Sequence, residues 1–321
     1  MKLAMISSWH VHARDYAKQI LALPQCEIVA VWDENVEAGK IWSKELNCSF
    51  VEDYDTLLQD SSIDGVVINS PTNMHTELIV KAANAGKHIF TEKVLALTVE
   101  DCIKIKEAIE KNNVKFSIAL VHKCKGNLIF AKQIAQSGAL GDITYVRVRN
   151  AHNGSIADWL PQHFYNKEQC GGGALIDLGA HTIYMLEWFL GQPRNISATF
   201  TSVTNRTIED NVVVVMEFQK GAIGVAETSF VTVYTPFTLE ISGTKGSLIV
   251  KEDVRYANEA TQGKWVVAEN LPTSLPSPLV QWVEGVTQNK EIYLGINDAI
   301  SLTRIIEAAY KAHESGQKVV L

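Results

Sequence analysis

Short apolar runs and longer amphipathic stretches alternate through the first 119 residues. The runs KLAMIS, EIVAVWD, DGVVINS, KHIFTE and VKFSIAL are nearly continuous in Val, Ile, Leu and Phe, the pattern of strands covered on both faces. Between them, segments 12–23, 35–46, 73–85 and 98–112 repeat apolar residues at helical spacing. Strands joined by helices run parallel, so residues 1–119 predict a doubly wound parallel sheet of the α/β class. After residue 120 the rhythm changes. A helical pattern near 124–136, the strand ITYVRVRNA and a second helical pattern over 174–190 lead into ISATFTSVT, NVVVVMEFQ, AIGVAETSFV, FTLEISG and GSLIVKE. Strands without intervening helices predict a C-terminal α+β domain over 120–321, built on a large, mainly antiparallel sheet with one face open. Two helices, about 275–288 and 294–315, close the chain, and nothing between the halves reads as a flexible linker.

At 321 residues and 46% apolar content the chain has enough material for two ordinary cores. The net charge of -7 is spread out, with no Lys/Arg run to meet nucleic acid or an anionic membrane. No apolar stretch reaches the ~20 residues that span a bilayer, and MKLAMISSWH turns polar before a signal-peptide core develops, so a cytoplasmic protein is expected. Cys26, Cys48, Cys102, Cys124 and Cys170 are odd in number and contain no CxxC pair. They suggest neither a disulfide framework nor structural zinc, and no metal is assigned. Small-molecule chemistry is what remains.

The first strand runs into Ser7, Ser8, Trp9, His10, Val11 and His12. A dinucleotide-binding Rossmann sheet carries G-x-G-x-x-G at this strand-to-helix turn, and every one of those glycines is missing. Asp33, by contrast, closes the second strand roughly 20 residues on, where a carboxylate accepts hydrogen bonds from an adenosine ribose and repels a 2'-phosphate. That favours NAD over NADP, with a simple turn aspartate as the alternative. Asn69, Ser70, Pro71 and Thr72 end the DGVVINS strand with His75 just inside the next helix, a second set of positions beside a cofactor. Thr72 reads equally as a helix N-cap.

In GGGALIDLGAH, Asp177 and His181 lie four apart, on one face of a helix whose surroundings are apolar, so that the carboxylate can orient the imidazole. Lys93 sits just past the KHIFTE strand, where open parallel sheets place their ligands. A base and a cation of this kind meet the needs of alcohol oxidation: one takes the hydroxyl proton, the other steadies charge on oxygen. His122, Lys123 and Lys125 in ALVHKCKGN are candidate substrate contacts. So are Asn150, His152, Asn153, Trp159, His163 and Tyr165 in the stretch 150–166, though any of them also reads as an ordinary loop residue. The His10-x-His12 pair leaving a strand admits another reading, a divalent ion in a metal-dependent hydrolase of the amidohydrolase type, but that fold needs an eightfold β/α series.

The stretch INSPTNMH, AANAGKHIF and TEKV carries Pro71, His75, Gly86, Lys87, His88, Glu92 and Lys93 in order. With the G-G-G-x-x-x-D-x-G-x-H segment, the Ser137–Gly141 turn and the helix end Trp188–Gly191, it resembles the Gfo/Idh/MocA oxidoreductases over nearly the whole chain. Val94 departs from the family's proline after E-K, and His122 and Lys123 stand near where the family carries an arginine. The resemblance implies a nicotinamide-dependent dehydrogenase acting on CH-OH groups of a sugar, polyol or derivative. Glu92 and Lys93 would lie by the cofactor, Lys93 would be the proton-relay cation, Asp177 the substrate-binding carboxylate and His181 the general acid/base. His122, Lys123 and His152 would add substrate contacts. The open sheet suggests a homo-dimer or homo-tetramer. The missing glycines keep open a member that has lost catalysis and acts as a ligand sensor.

Overall fold

The apolar runs of the first half become β1 (Lys2–Ile6), β2 (Glu27–Trp32), β4 (Gly65–Ile68), β5 (His88–Thr91) and β6 (Phe116–Ile118), joined by a two-residue β3 (Ser49–Phe50). All pairings are parallel, in the order β3-β2-β1-β4-β5-β6. Helices α1 (Ala13–Leu21), α2 (Val36–Glu45), α3 (Tyr54–Gln59), α4 (His75–Asn84) and α5 (Val99–Lys111) supply the crossovers. Their starts are written in the sequence: Asn35, Asp53 and Thr98 each cap a helix by accepting a backbone N–H from Ala38, Thr56 and Asp101. The strand order reverses between β1 and β4, and the ligand crevice of such sheets opens outside the carboxyl ends of the strands at that point. This sheet order excludes the eightfold barrel of the hydrolase reading. β3 and α3 were not foreseen, because segments this short carry too few periods to read.

The structure, a computed structural model, describes every residue of the chain except Pro236. It divides into two compact units, Met1–Ala119 with Pro276–Thr303, and Leu120–Leu275 with Arg304–Leu321. Residues 276–303, which the hydrophobic pattern groups with the second half, thus belong to the first unit. The reason is packing: Leu279, Trp282 and Val283 of α9 (Pro278–Thr287) share a buried cluster with Leu3, Met5, Val31, Val67 and Phe90 of the parallel sheet. The Trp282 and Phe90 rings lie 6.0 Å apart. Helix α10 (Ile296–Ser315) contributes to both units.

The second unit holds α6 (Gly126–Gln136), β7 (Ile143–Ala151), α7 (Lys167–Cys170) and α8 (Ala180–Leu190), then β8 (Pro193–Thr201), β9 (Asn211–Phe218), β10 (Ile223–Ser229), β11 (Thr238–Gly243), β12 (Gly246–Val250), β13 (Val254–Asn258), β14 (Val266–Val267) and β15 (Val319–Val320). The nine strands order as β14-β13-β12-β11-β7-β10-β9-β8-β15 and pair antiparallel, except that β7 and β10 run parallel. In β9, Val212, Val214, Met216 and Phe218 point into the core, while Val213 and Val215 on the other face are 41% and 38% exposed. One face is therefore packed and the other open, as the period-2 pattern requires. No helix among the described residues is long and apolar enough to cross a membrane.

Candidate functional site

In the first unit, the turn after β1 is built without glycine by placing Ser7 itself in the left-handed region, at φ 66°. Asp33 holds that turn. Its Oδ2 accepts from Ser8 N at 2.8 Å and Ser8 Oγ at 2.6 Å, and its Oδ1 accepts from Asn35 N at 2.9 Å. Most other amides of the turn are also used: Trp9 N donates to Ser7 Oγ, His10 N to the Asn69 carbonyl, and His12 N to His10 Nδ1. A glycine turn offers such amides to a pyrophosphate; here the chain consumes them. At the adenosine end the residues fit a dinucleotide well. Asp33 and Glu34 follow β2, and two buried oxygens, Glu34 Oε2 after β2 and Asn69 Oδ1 after β4, have no hydrogen-bond partner. Burial pushes the Glu34 carboxyl up, and the Asp33 charge adds to this against a hydrogen bond from Ser7. Glu34 was missed by sequence reasoning, although an acidic pair ending the second strand was visible.

Of the other assigned cofactor positions, Ser70 and Pro71 are buried, Thr72 begins a short 3-10 turn and Val11 is 49% exposed at the tip of the loop. No side chain caps α4. His75 is a clamp: its Nδ1 meets the carbonyls of Val94 at 3.0 Å and Leu95 at 3.2 Å, and its Nε2 meets the Ser70 carbonyl at 3.1 Å. Both ring nitrogens thus bind backbone, tying the segment after Lys93 to the end of β4. The Lys93–Val94 peptide is cis. Glu92 is 1% exposed and accepts from the Lys93 amide at 3.0 Å, from His12 Nδ1 at 2.8 Å and from the Tyr16 hydroxyl. Burial alone would raise its carboxyl, but the charges of His10, His12 and Lys93 and the His12 bond hold it well below the usual range.

In the second unit, the glycine run is explained by crowding. A Cβ on Gly172 would lie 1.8 Å from the Tyr310 hydroxyl, and one on Gly173 would lie 2.1 Å from the Glu209 carbonyl oxygen. Glu209 Oε1 gathers the local amides, accepting from Gly173 N at 2.8 Å, Leu175 N at 3.1 Å and the Tyr310 hydroxyl at 2.7 Å. The chain then forms a π-helical turn over Leu175–Gly179, with Gly179 N bonding the Ala174 carbonyl, before α8 begins. Asp177 therefore lies in a π turn and His181 in the following α-helix, a correction to the single regular helix expected; such turns widen a helix and recur at functional sites.

His181 is 7% exposed, and its Nδ1 meets the Tyr184 hydroxyl at 2.8 Å. That hydroxyl oxygen also accepts the His122 backbone N–H at 3.1 Å, and its second lone pair can accept Nδ1–H of His181, the tautomer that leaves Nε2 unprotonated. The His122 ring stacks on Phe237 at 4.7 Å and meets His181 edge-on at 4.8 Å, and its buried Nδ1 has no partner. Burial, aided by the Lys125 charge, pushes His122 down to about 3. Asp177 acts on His152, where burial lowers the imidazole and the Asp177 charge opposes it. His152 stacks on Phe230 at 5.0 Å and meets the exposed Trp159 ring at 4.6 Å. Lys123 is 6% exposed in the 3-10 turn before α6. Asn150 bonds the Leu178 carbonyl, and Tyr165 bonds Ser155 and lies under Arg206. Tyr184 was not foreseen. Its i,i+3 relation to His181 was the available signal.

A doubly wound parallel sheet with an acidic end to β2, followed by a large open sheet, defines a dinucleotide-dependent oxidoreductase fold, and sequence comparison agrees. Residues 4–120 match the oxidoreductase family with an NAD-binding Rossmann fold, and residues 129–249 match the GFO/IDH/MocA C-terminal domain. The chain belongs to the GFO/IDH/MocA family of oxidoreductases. It is 25% identical over 93% of its length to levoglucosan dehydrogenase of Pseudarthrobacter phenanthrenivorans, covering 83% of that protein. It is 26% identical over 75% of its length to scyllo-inositol 2-dehydrogenase (NAD(+)) of Bacillus subtilis, covering 70% of it. Among solved structures, a levoglucosan dehydrogenase in complex with NADH and levoglucosan superposes with a TM-score of 0.88 at 19% identity, over 100% of this chain and 99% of that one.

Proposed function

We propose that this oxidoreductase transfers a hydride between NAD and a secondary alcohol or ketone of a sugar, polyol or related compound. The observation that carries this reading is the buried His181, backed on Nδ1 by Tyr184 and met edge-on by His122, in a family whose relatives include sugar and inositol dehydrogenases. Asp33 and Glu34 would hold the adenosine ribose and disfavour a 2'-phosphate, so NAD is the preferred cofactor. When bound, its nicotinamide supplies the hydride acceptor or donor. In the oxidising direction His181 takes the hydroxyl proton as hydride leaves carbon, and Tyr184 fixes the ring and tautomer for that step. Lys93 steadies the charge on oxygen, and Asp177, His122, Lys123 and His152 contact the other hydroxyls. Docking through the open face of β8, β9 and β10 would give a homo-oligomer.

The test has two stages. Calorimetric titration should give saturable NAD or NADH binding, with NADP at least tenfold weaker; equal binding of all three, or none, would reject the cofactor assignment. A panel of sugars and polyols should then show NAD-dependent turnover. Lys93→Ala and His181→Ala should each lower that turnover by about two or more orders of magnitude, with cofactor affinity kept in His181→Ala. Near-normal rates in either variant would remove that residue from the mechanism.

A further inference from the structure

Among the described residues, one group of His, Cys, Asp and Glu side chains brings three potential ligating atoms together: His10, His12 and Glu92, with one such atom from each within 4.8 Å of the others. The histidines leave β1 two residues apart, and Glu92 follows β5. We propose that they form a binding site for a first-row divalent cation of the zinc or cobalt kind. The proposal goes beyond the dehydrogenase reading and does not depend on it.

The spacing suits such an ion. Donors about 2.1 Å from a metal lie ~3.4 Å apart in a tetrahedral site and ~3.0 Å apart in an octahedral one. Glu92 Oε1 lies 2.8 Å from His12 Nδ1 and 3.5 Å from His10 Nδ1. Two imidazoles and one carboxylate are the donor set that borderline divalent ions select over Mg2+ or Ca2+. The carboxylate is held from behind, since the Lys93 amide donates to Oε2 and the Tyr16 hydroxyl to Oε1, and Tyr16 itself is fixed edge-on against Phe90 at 5.1 Å. Partners of this kind orient metal ligands. His10 and Glu92 are 6% and 1% exposed, whereas the His12 side chain is 45% exposed, so the site is walled on two sides and open to an entering ion on the third. Coordination displaces the 3.2 Å contact from His12 N to His10 Nδ1 and replaces the 2.8 Å bond between His12 Nδ1 and Glu92. It also supplies a cation where the chain has replaced the phosphate-binding glycines, beside amides that the turn has already consumed.

The experiment uses the whole protein, dialysed against chelator, and titrates it with Co2+ while recording visible absorption. One equivalent should give a saturable d–d spectrum that Zn2+ abolishes by competition. His12→Gln, at the half-exposed position, should weaken binding at least tenfold with the circular dichroism of the fold retained; unchanged affinity overturns the site. A second measurement needs no variant: Zn2+ should protect the peptide carrying His10 and His12, and not that carrying His163, from acylation by diethyl pyrocarbonate. Equal labelling with and without Zn2+, or no saturable Co2+ spectrum, also overturns it. NAD titration of the same metal-free protein reports on the cofactor separately, so the two readings fail independently.

Discussion

Lowering the pH from 7 to about 5 should weaken the second unit through His122. Its imidazole is buried against Phe237 and His181, with Nδ1 unpartnered, and burial holds it down to about 3 against 6.5 in the open chain. Between these values the unfolded chain binds the proton and the folded one does not, so stability is complete above about 6.5 and is lost as the pH falls towards 3. One pH unit in that window is worth about 1.4 kcal/mol per proton, so the descent to pH 5 costs about 2 kcal/mol from this residue. His75, His88 and His152 are also lowered by burial and add to the loss. The measurement is therefore a difference: urea unfolding of the parent and of His122→Phe at both pH values, fitted to the transition of the second unit. The parent should lose about 2 kcal/mol more than the variant, because the other histidines cancel. Equal losses within about 0.5 kcal/mol would mean that His122 is hydrated or already protonated in the native state, and the account of its burial would be wrong.

Three further expectations follow from single contacts. Asp33→Ala removes the acceptor of Ser8 N, Ser8 Oγ and Asn35 N. It should weaken NAD at least tenfold in a calorimetric titration and narrow the preference over NADP; unchanged affinity for both would sink its role. Tyr184→Phe leaves the His122 N–H unpaired, a loss of about 1–3 kcal/mol of stability, and takes the hydroxyl from His181 Nδ1, which should lower kcat and displace its pH profile. A change confined to KM would argue against an orienting role. Gly173→Ala forces a Cβ to 2.1 Å from the Glu209 carbonyl and should cost about 1–3 kcal/mol, read as a drop in Tm. A wild-type melting curve would mean that the run of glycines is not there for space.

How far the sequence speaks depends on how local each cause is. β1, β2, β4, β5 and β6 and the helices between them announce themselves because burial on both faces leaves an apolar run, and helical burial leaves a period. Local position was legible too: Asp33 directly after β2 and His181 inside a helix, though not the π turn that carries Asp177. What escaped is whatever depends on pairing across long stretches. The parallel contact of β7 with β10, the two-residue strands β3, β14 and β15, and the burial of Trp282 under a sheet made from residues 1–119 leave no periodic trace. The site shows the same division. Its glycine-free turn reads as a defect when only its own six residues are compared with the usual motif. In the structure that turn is closed by Asp33 from β2, Asn69 from β4 and His10 from within. The chain has exchanged backbone freedom for side-chain hydrogen bonds, and the same exchange brings His10 and His12 against Glu92. The residues that replaced the glycines therefore do more than tolerate a tight turn. His10 and His12 set two imidazoles against the Glu92 carboxylate that follows β5, so the turn contributes side-chain donors as well as its shape.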